Sequence, residues 1–571
     1  MKDKFSDLFR IWDELYPGEP SDMLKIFTAE IDRLTSDISL PALENEWYKD
    51  AVVYSLYVDL FNKDFVGLTE RLDYLQDLGV NCLWLLPILD SPMRDAGFDI
   101  SDYKKIRKEL SGLGENAGDE QVDEIFCKFL EEAHQRGIRV IFDIATNHIS
   151  EQHKWFREAR KSKDNPYRNF FIWSKDGKEY SEARIIFYGI EESNWKKDGE
   201  EFYFHRFFDF QPDLNYRNPA VLIEMSRNLL YWMERGVDGF RADAIPYIWK
   251  EEGTTCENLP KTHSIVKFFR AVIDLVRPNT LLLAEACQKP DEVVKYFGRG
   301  DECNAGYHFP LMPQIFKSVA MASRKPIAET LSLAVTPEIP ANAQWFTFLR
   351  CHDELSLELV YVTEEDRKYI HDHYCRKPEW DFRLGQGISA RLAELMDRDP
   401  ARIGLIYSIM LSLPGTPVIY YGDEFGKLND EDYYREMKTS VGKDDTRFLV
   451  RGKIDWKAVD SALSTPGTYE SLVITRVKTM LHARNNYPVF GRGTITWIDL
   501  QKTGGEQAEE IMAYSREYDK LNIMVVQNLS SQDIELKWDI SVRKSLLGNV
   551  PLINEGRIKL KGFEYFWFLI K

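Results

Sequence analysis

"VLIEMSRNLLYWMERGVDGFRADAIP", residues 221 to 246, runs from a helix-patterned stretch through Gly236 into a short apolar segment that carries Arg241 and Asp243. A helix, a glycine stop and a strand in immediate succession are the repeating unit of a parallel α/β fold. Taken alone, Arg241 and Asp243 read as a strand-end ion pair as readily as a reactive group, so the rest of the chain must decide between them.

The unit recurs. Short runs rich in Val, Ile, Leu and aromatics stand at 51–58 (AVVYSLYV), 80–88 (VNCLWLLPI), 139–146 (RVIFDIAT), 237–244 (VDGFRADA), 280–286 (TLLLAEA), 304–311 (NAGYHFPL), 345–351 (WFTFLRC) and 416–424 (TPVIYYGDE). Near-continuous hydrophobicity is the mark of parallel strands covered on both faces. Between the first two runs, Leu68, Leu72, Leu75 and Leu78 are spaced along one helix face and Gly79 closes it. The stretch "VDEIFCKFLEEAHQRG" before the third run has the same design. Eight such units predict an α/β protein built on a (β/α)8 barrel, over 47–148 and 216–490.

The interval 149–215 is too long for a loop and predicts a small inserted domain beside the barrel mouth. Residues 1–46 predict a helical extension, with Leu8, Ile11, Trp12 and Leu15 helically spaced. After about residue 490 the pattern turns to alternation, as in Ile534, Leu536 and Trp538, and in "GFEYFWFLI" near the end. That predicts a C-terminal, β-sandwich-like domain over 491–571.

Composition narrows the partners. A net charge of −18 without any Lys/Arg-rich run repels a phosphate backbone or an anionic membrane, and favours a neutral small-molecule substrate. The 33 Phe, 28 Tyr and 14 Trp suit packed strands or a surface that stacks on flat ligands. No apolar run approaches the roughly 20 residues that span a bilayer, and the first residues lack a secretion pattern. Seven cysteines, an odd number without close C-x-x-C pairs, point to reduced thiols in a cytoplasm. Nothing in the chain indicates oligomeric state, and no cofactor is expected.

In a barrel of this kind chemistry sits at the C-terminal ends of the strands. There the polar residues cluster: Asp143, Asn147 and His148 after the third strand, Arg241 and Asp243 on the fourth, Glu285 after the fifth, His352 and Asp353 after the seventh. Each alone has a structural reading. Three carboxylates converging on one cavity do not, because each desolvated acid needs a cation or donors and their repulsion raises at least one pKa.

These segments resemble the four signature regions of the α-amylase superfamily of retaining glycoside hydrolases and transglycosidases: "DIATNH", "GFRADAIP", "LLLAEA" and "FLRCHDE", in order along the chain. The resemblance implies Asp243 as nucleophile, Glu285 as general acid/base and Asp353 as the acid that binds sugar hydroxyls and stabilises the transition state. Arg241, two residues from Asp243 on a strand, shares its face and would keep it ionised, and His148 and His352 would donate to sugar hydroxyls. "RDAGFDISDY" resembles the segment that closes the innermost sugar pocket, here through Asp95 and Phe98, with phenylalanine in place of the more usual tyrosine. "DDTRF" places Arg447 where pocket-shaped members keep an arginine that pairs with that aspartate, so an Asp95–Arg447 pair is expected.

Two subgroups compete within the family. "WYKDAVVY", "DECNAGYHFPLMPQIF" and "FLRCHDELSLE" are similar to trehalose synthases, whereas the N-terminal helices and "DDTRFLVRGKIDW" are similar to amylosucrases and sucrose hydrolases. The segments that line the pocket favour the first, an isomerase of maltose and trehalose. The alternatives are a sucrose-type glucosyltransferase, an α-glucosidase or α-amylase acting on maltooligosaccharides, and an inactive amylase-like binding protein. "VDLFNKDFVGL" lacks the D-x-N-x-D-G calcium loop that many relatives carry after the first strand, so no metal is expected there. Asn147 could join a second calcium site of the amylase type, but the inserted segment shows no clear acidic partner for it.

Overall fold

The computed structural model describes residues 4–37, 41–114, 116–187, 189–442, 444–548, 551 and 553–570. Eight parallel strands close a barrel: β1 (Val53–Leu56), β2 (Cys82–Leu85), β3 (Arg139–Ala145), β4 (Gly239–Asp243), β5 (Leu281–Ala284), β6 (Ala305–Tyr307), β7 (Gln344–Phe348) and β8 (Thr416–Tyr420), each hydrogen-bonded to the next and β8 back to β1. Seven lie within the apolar runs read from the sequence, and β7 starts one residue before its run, at Gln344. Their residues are almost wholly buried, since barrel side chains cover one face and helices the other.

The helix α1 (Ser6–Leu15) buries the predicted Leu8, Ile11, Trp12 and Leu15. It packs on the barrel helix Pro260–Val276, where Ser264 donates to Glu14 at 2.6 Å. The repeat at residues 221–246 is α2 (Pro219–Glu234), capped by the Asn218 side chain, followed by Gly236 at φ +98° and β4. Within β4, Gly239 is required by crowding. A Cβ there would lie 2.5 Å from Leu281 Cβ and 2.7 Å from the Leu281 carbonyl.

The C-terminal strands Thr494–Ile498, Ile511–Tyr518, Leu521–Asn528, Tyr565–Ile570 and Val542–Ser545 form one antiparallel sheet, and Ile534–Lys537, Arg557–Leu560 and Ile553–Asn554 another. Alternation sorts their side chains. Ala513, Met524, Val526, Phe566 and Phe568 face Leu536, Ile558 and Leu560, whereas Tyr514, Val525 and Trp567 face the barrel core. The Trp567 indole donates to Ser408 at 2.9 Å on the helix Pro400–Ser412, which fastens the sheet to the barrel.

Candidate active site

Strand register assembles the site. Asp143 of β3 stands beside Arg241 of β4, and Ala145 beside Asp243, so the pleat turns Asp143, Arg241 and Asp243 into the barrel together. One guanidinium nitrogen of Arg241 lies 2.7 Å from Asp143 and 2.6 Å from Asp243, and the other 3.9 Å from Glu285. Asp143 also accepts the Trp84 indole N–H at 2.9 Å, which leaves it structurally satisfied and Arg241 fixed in direction.

Strand β4 ends abruptly. Ala244 adopts φ +55°, a conformation alanine rarely takes, and its N–H donates to Glu285 at 3.0 Å. The turn thereby ties the carboxyl at the end of β5 to the residue after Asp243. The Cys287 thiol donates to the other Glu285 oxygen at 3.2 Å. Burial pushes the Asp243 carboxyl well up, Arg241 pulls it down, and Glu285 and Asp143 push it further up. Arg241 lies 2.6 Å from Asp243 and 3.9 Å from Glu285, so its charge bears most directly on Asp243.

Asp353 has the opposite environment. Burial opposes its ionisation, yet His352 at 3.1 Å, Arg447 at 3.0 Å and Arg451 at 3.1 Å hold it well below the usual carboxylate range. The cavity these groups share is walled by Trp84, Phe98, Phe207, Tyr307, Phe348 and Phe382, an aromatic lining for a ligand with apolar faces and a polar rim. Phe98 lies nearly parallel to His352 at 5.7 Å between ring centres. His148 lines the same cavity. Burial lowers its pKa to about 4, so it is neutral, and its Nε2 has no hydrogen-bond partner among the described residues.

Asp95, Phe98, His148, Arg241, Asp243, Glu285, His352, Asp353 and Arg447 all line one cavity, whereas Asp143 and Asn147 lie outside its lining, and one pairing differs. Arg447 does not pair with Asp95. It binds Asp445 in two-pronged fashion at 2.7–2.9 Å and Asp353 at 3.0 Å, whereas Asp95 accepts Gln211 Nε2 at 2.9 Å. Asp445, two residues away on the same turn, captures the guanidinium first. Asp95 is left with a pKa raised by burial to about 6, with Arg447 pulling from a distance.

The expected lack of an acidic partner for Asn147 is also corrected. Asp213, at the end of the inserted segment, faces it, and the cation between them is the side chain of Lys250: its Nζ lies 2.6 Å from Asn147 Oδ1 and 2.7 Å from Asp213 Oδ2, with all three residues nearly fully buried. The sequence contains this lysine in "YIWKEEG", but only folding brings it to Asn147. Glu354, Glu358, Phe382, Arg383 and Arg451 of the cavity wall were likewise missed. Glu354 follows Asp353 directly, and burial raises its pKa to about 7. Phe382 and Arg383 sit on an excursion after β7, where the chain forms a small sheet from Leu355–Ser356, Asp381–Phe382 and Gly387–Ile388.

A (β/α)8 barrel with paired carboxylates at the strand ends and an arginine-held third acid defines a glycosidase/transglucosidase enzyme. The chain belongs to the α-amylase family: the family's catalytic-domain model matches residues 61–532. It is trehalose synthase-like, being 41% identical to the trehalose synthase/amylase of Mycobacterium tuberculosis strain H37Rv, with 93% of this chain and 92% of that protein covered. It is 38% identical to a trehalose synthase of Pimelobacter sp., covering 92% and 96%. Among solved structures, a trehalulose synthase from Pseudomonas mesoacidophila aligns with TM-score 0.68 at 23% identity over 93% of this chain and all of that one, a likeness of fold.

Proposed function

We propose that the protein is a retaining α-glucosidic enzyme that interconverts maltose and trehalose inside a closed pocket. Asp243 attacks the anomeric carbon of the non-reducing glucose while Glu285 gives its proton to the bridging oxygen, releasing glucose and leaving a glucosyl ester on Asp243. The freed glucose turns within the cavity. Its anomeric hydroxyl then attacks the ester, its proton passes to Glu285, and Asp243 leaves. Asp353, kept ionised by Arg447, Arg451 and its contact with His352, holds sugar hydroxyls as positive charge grows at the anomeric carbon. His148, with an unpartnered Nε2, His352, Asp95 and Phe98 complete the glucose-binding wall.

The observation that carries this reading is the placement of Asp243 at 2.6 Å and Glu285 at 3.9 Å from the two nitrogens of Arg241, which gathers both carboxyls at one point of the cavity with the guanidinium tight on the nucleophile. The trehalose synthases that the chain resembles along nearly their whole length support the choice of sugar. A cytoplasmic setting suits seven cysteines that are all unpaired. Among the described residues no helix is long and apolar enough to cross a membrane. The domain limits 1–46, 47–148 with 216–490, 149–215 and 491–571 are proposed as the units of this enzyme. The test is to incubate purified protein separately with maltose, trehalose and sucrose and to resolve the products by chromatography. Trehalose from maltose, and the reverse, is expected; fructose released from sucrose as the main product overturns the choice of substrate.

A further inference from the structure

Beside the cavity, on the outer side of the excursion after β7, three side chains of different chemistry converge. His371 lies in the helix Glu364–Tyr374, and Cys375 follows that helix one turn later, so both face the same way. The chain reverses through Pro378–Trp380 and returns Asp381 to them. One donor atom of each, imidazole nitrogen, thiol sulfur and carboxylate oxygen, lies within 4.8 Å of the other two, and all three side chains are partly exposed. His371 Nε2 is 2.8 Å from Asp381 Oδ1.

The two basic residues that follow Cys375 in the chain are turned elsewhere. Arg376 pairs with Asp397, and Lys377 pairs with Glu431 at 3.3 Å and lies over the Trp380 ring. The charges that bear most on the Cys375 thiol are Asp381 and Glu379, both negative. A dication entering here meets a favourable field and one donor each of sulfur, nitrogen and oxygen, the mixed set that borderline metals accept and that magnesium or calcium does not. Metal bonds of about 2.0–2.3 Å imply donor separations of roughly 3.3–3.8 Å, so a set whose atoms all lie within 4.8 Å of one another reaches coordination geometry by side-chain movements on the order of 1 Å. The second candidate cluster, Cys351, His352 and Asp353, lies inside the cavity, and there Asp353 is already held by Arg447 and Arg451.

We propose that His371, Cys375 and Asp381 bind a zinc-type divalent cation, and that the cation braces the cavity wall. The link to the wall is covalent and short. Asp381 Oδ1 also accepts the Gly385 N–H at 2.8 Å, closing a turn in which Arg383, Leu384 and Gly385 have φ of +49°, +55° and +88°. Phe382 and Arg383 of that turn line the cavity. Three successive left-handed residues are costly, and the Asp381 bond, with the Gln386 N–H donating to the Phe382 carbonyl at 3.0 Å, holds the turn against that cost. Coordination fixes Asp381 and through it the turn; the Cys375 proton is released to solvent on binding.

The test uses the full chain and cobalt(II) as probe. A single equivalent of cobalt should bind with a thiolate-to-cobalt charge-transfer band, and zinc should displace it. The band should vanish in Cys375→Ser and persist in Cys351→Ser. His371→Gln should keep the band but weaken binding at least about tenfold. Zinc should also slow amide hydrogen exchange over residues 381–388 in the unaltered protein and not in Cys375→Ser. No thiolate band in the unaltered protein, a band that survives Cys375→Ser, or a band lost in Cys351→Ser overturns the proposal. None of these readouts depends on the sugar chemistry proposed above.

Discussion

Replacing Lys250 by methionine tests the buried cation that joins the end of β3 to the inserted segment. Lys250 and Asp213 are 2% and 0% exposed at the side chain and 2.7 Å apart. At an effective dielectric constant near 20, charges at that distance attract by about 6 kcal/mol. Methionine keeps the length and the buried stem but leaves Asp213 facing the amide of Asn147 and the Arg206 N–H, which donates to its other oxygen at 2.8 Å. That remaining donor offsets part of the loss, so the expected cost is about 3–5 kcal/mol, as for removal of one partner of a buried pair. With an unfolding entropy of about 2.1 cal/mol/K per residue, a cooperative unit the size of this chain has about 1.2 kcal/mol/K, and about 4 kcal/mol lowers Tm by about 3 °C. Adding Asp213→Asn removes the orphaned charge and should recover at least half of the loss, measured by thermal melts followed by circular dichroism. Because Asn147 precedes His148, Lys250→Met alone should also reduce kcat/KM about ten- to a hundredfold through a displaced imidazole. A single variant that melts within 0.5 °C or so of the parent, or a double variant less stable than the single, refutes the reasoning.

Three further outcomes follow from the same geometry. Asp243→Asn should lower kcat on the order of 10⁴-fold or more on maltose, and a glucosyl fluoride reagent should label the unaltered protein at Asp243 and leave the variant unlabelled. Glu424 is fully buried, accepts from Tyr54 at 2.7 Å and Tyr74 at 2.9 Å, and burial raises its pKa to about 7. A carboxyl raised on folding contributes stability that is complete below its unfolded value near 4.5 and is lost as pH rises through about 7. Glu424→Gln should therefore flatten the fall in stability between pH 4.5 and 7 by about 3 kcal/mol in denaturant titrations, and parallel curves for the two proteins would count against it. Gly239→Ala forces a methyl against the Leu281 backbone, and should cost about 1–3 kcal/mol with soluble yield falling accordingly; an alanine variant of parental stability would show that β4 and β5 can separate.

How much could be read in advance depended on whether the physics was local. The barrel was legible because each unit writes its own pattern: apolar runs for strands buried on both faces, a 3.6-residue stripe for the covering helix, and a glycine at the stop, as in 221–246. The N-terminal Leu8, Ile11, Trp12 and Leu15 show the same, since an amphipathic helix announces its buried face. The positions of Asp243, Glu285 and Asp353 were legible for a related reason. A polar residue that ends an apolar strand of a barrel has only the mouth to face.

The succession of elements, the faces they bury and the mouth at which the acids gather are thus written locally along the chain. The partnerships arose on folding. Arg447 chose Asp445 and Asp353 over Asp95, Lys250 came to lie between Asn147 and Asp213, and Phe382 and Arg383 reached the cavity from an excursion with no barrel pattern. Periodicity fixes which way a side chain points, but the contacts of Lys250 with Asn147 and of Arg447 with Asp353 depend on distances of a few ångströms between residues 103 and 94 positions apart, and those are set when the barrel closes. Arg241 stands on the boundary. Its face was written in the strand, and the 1.3 Å by which it prefers Asp243 to Glu285, 2.6 Å against 3.9 Å, was decided by the turn at Ala244.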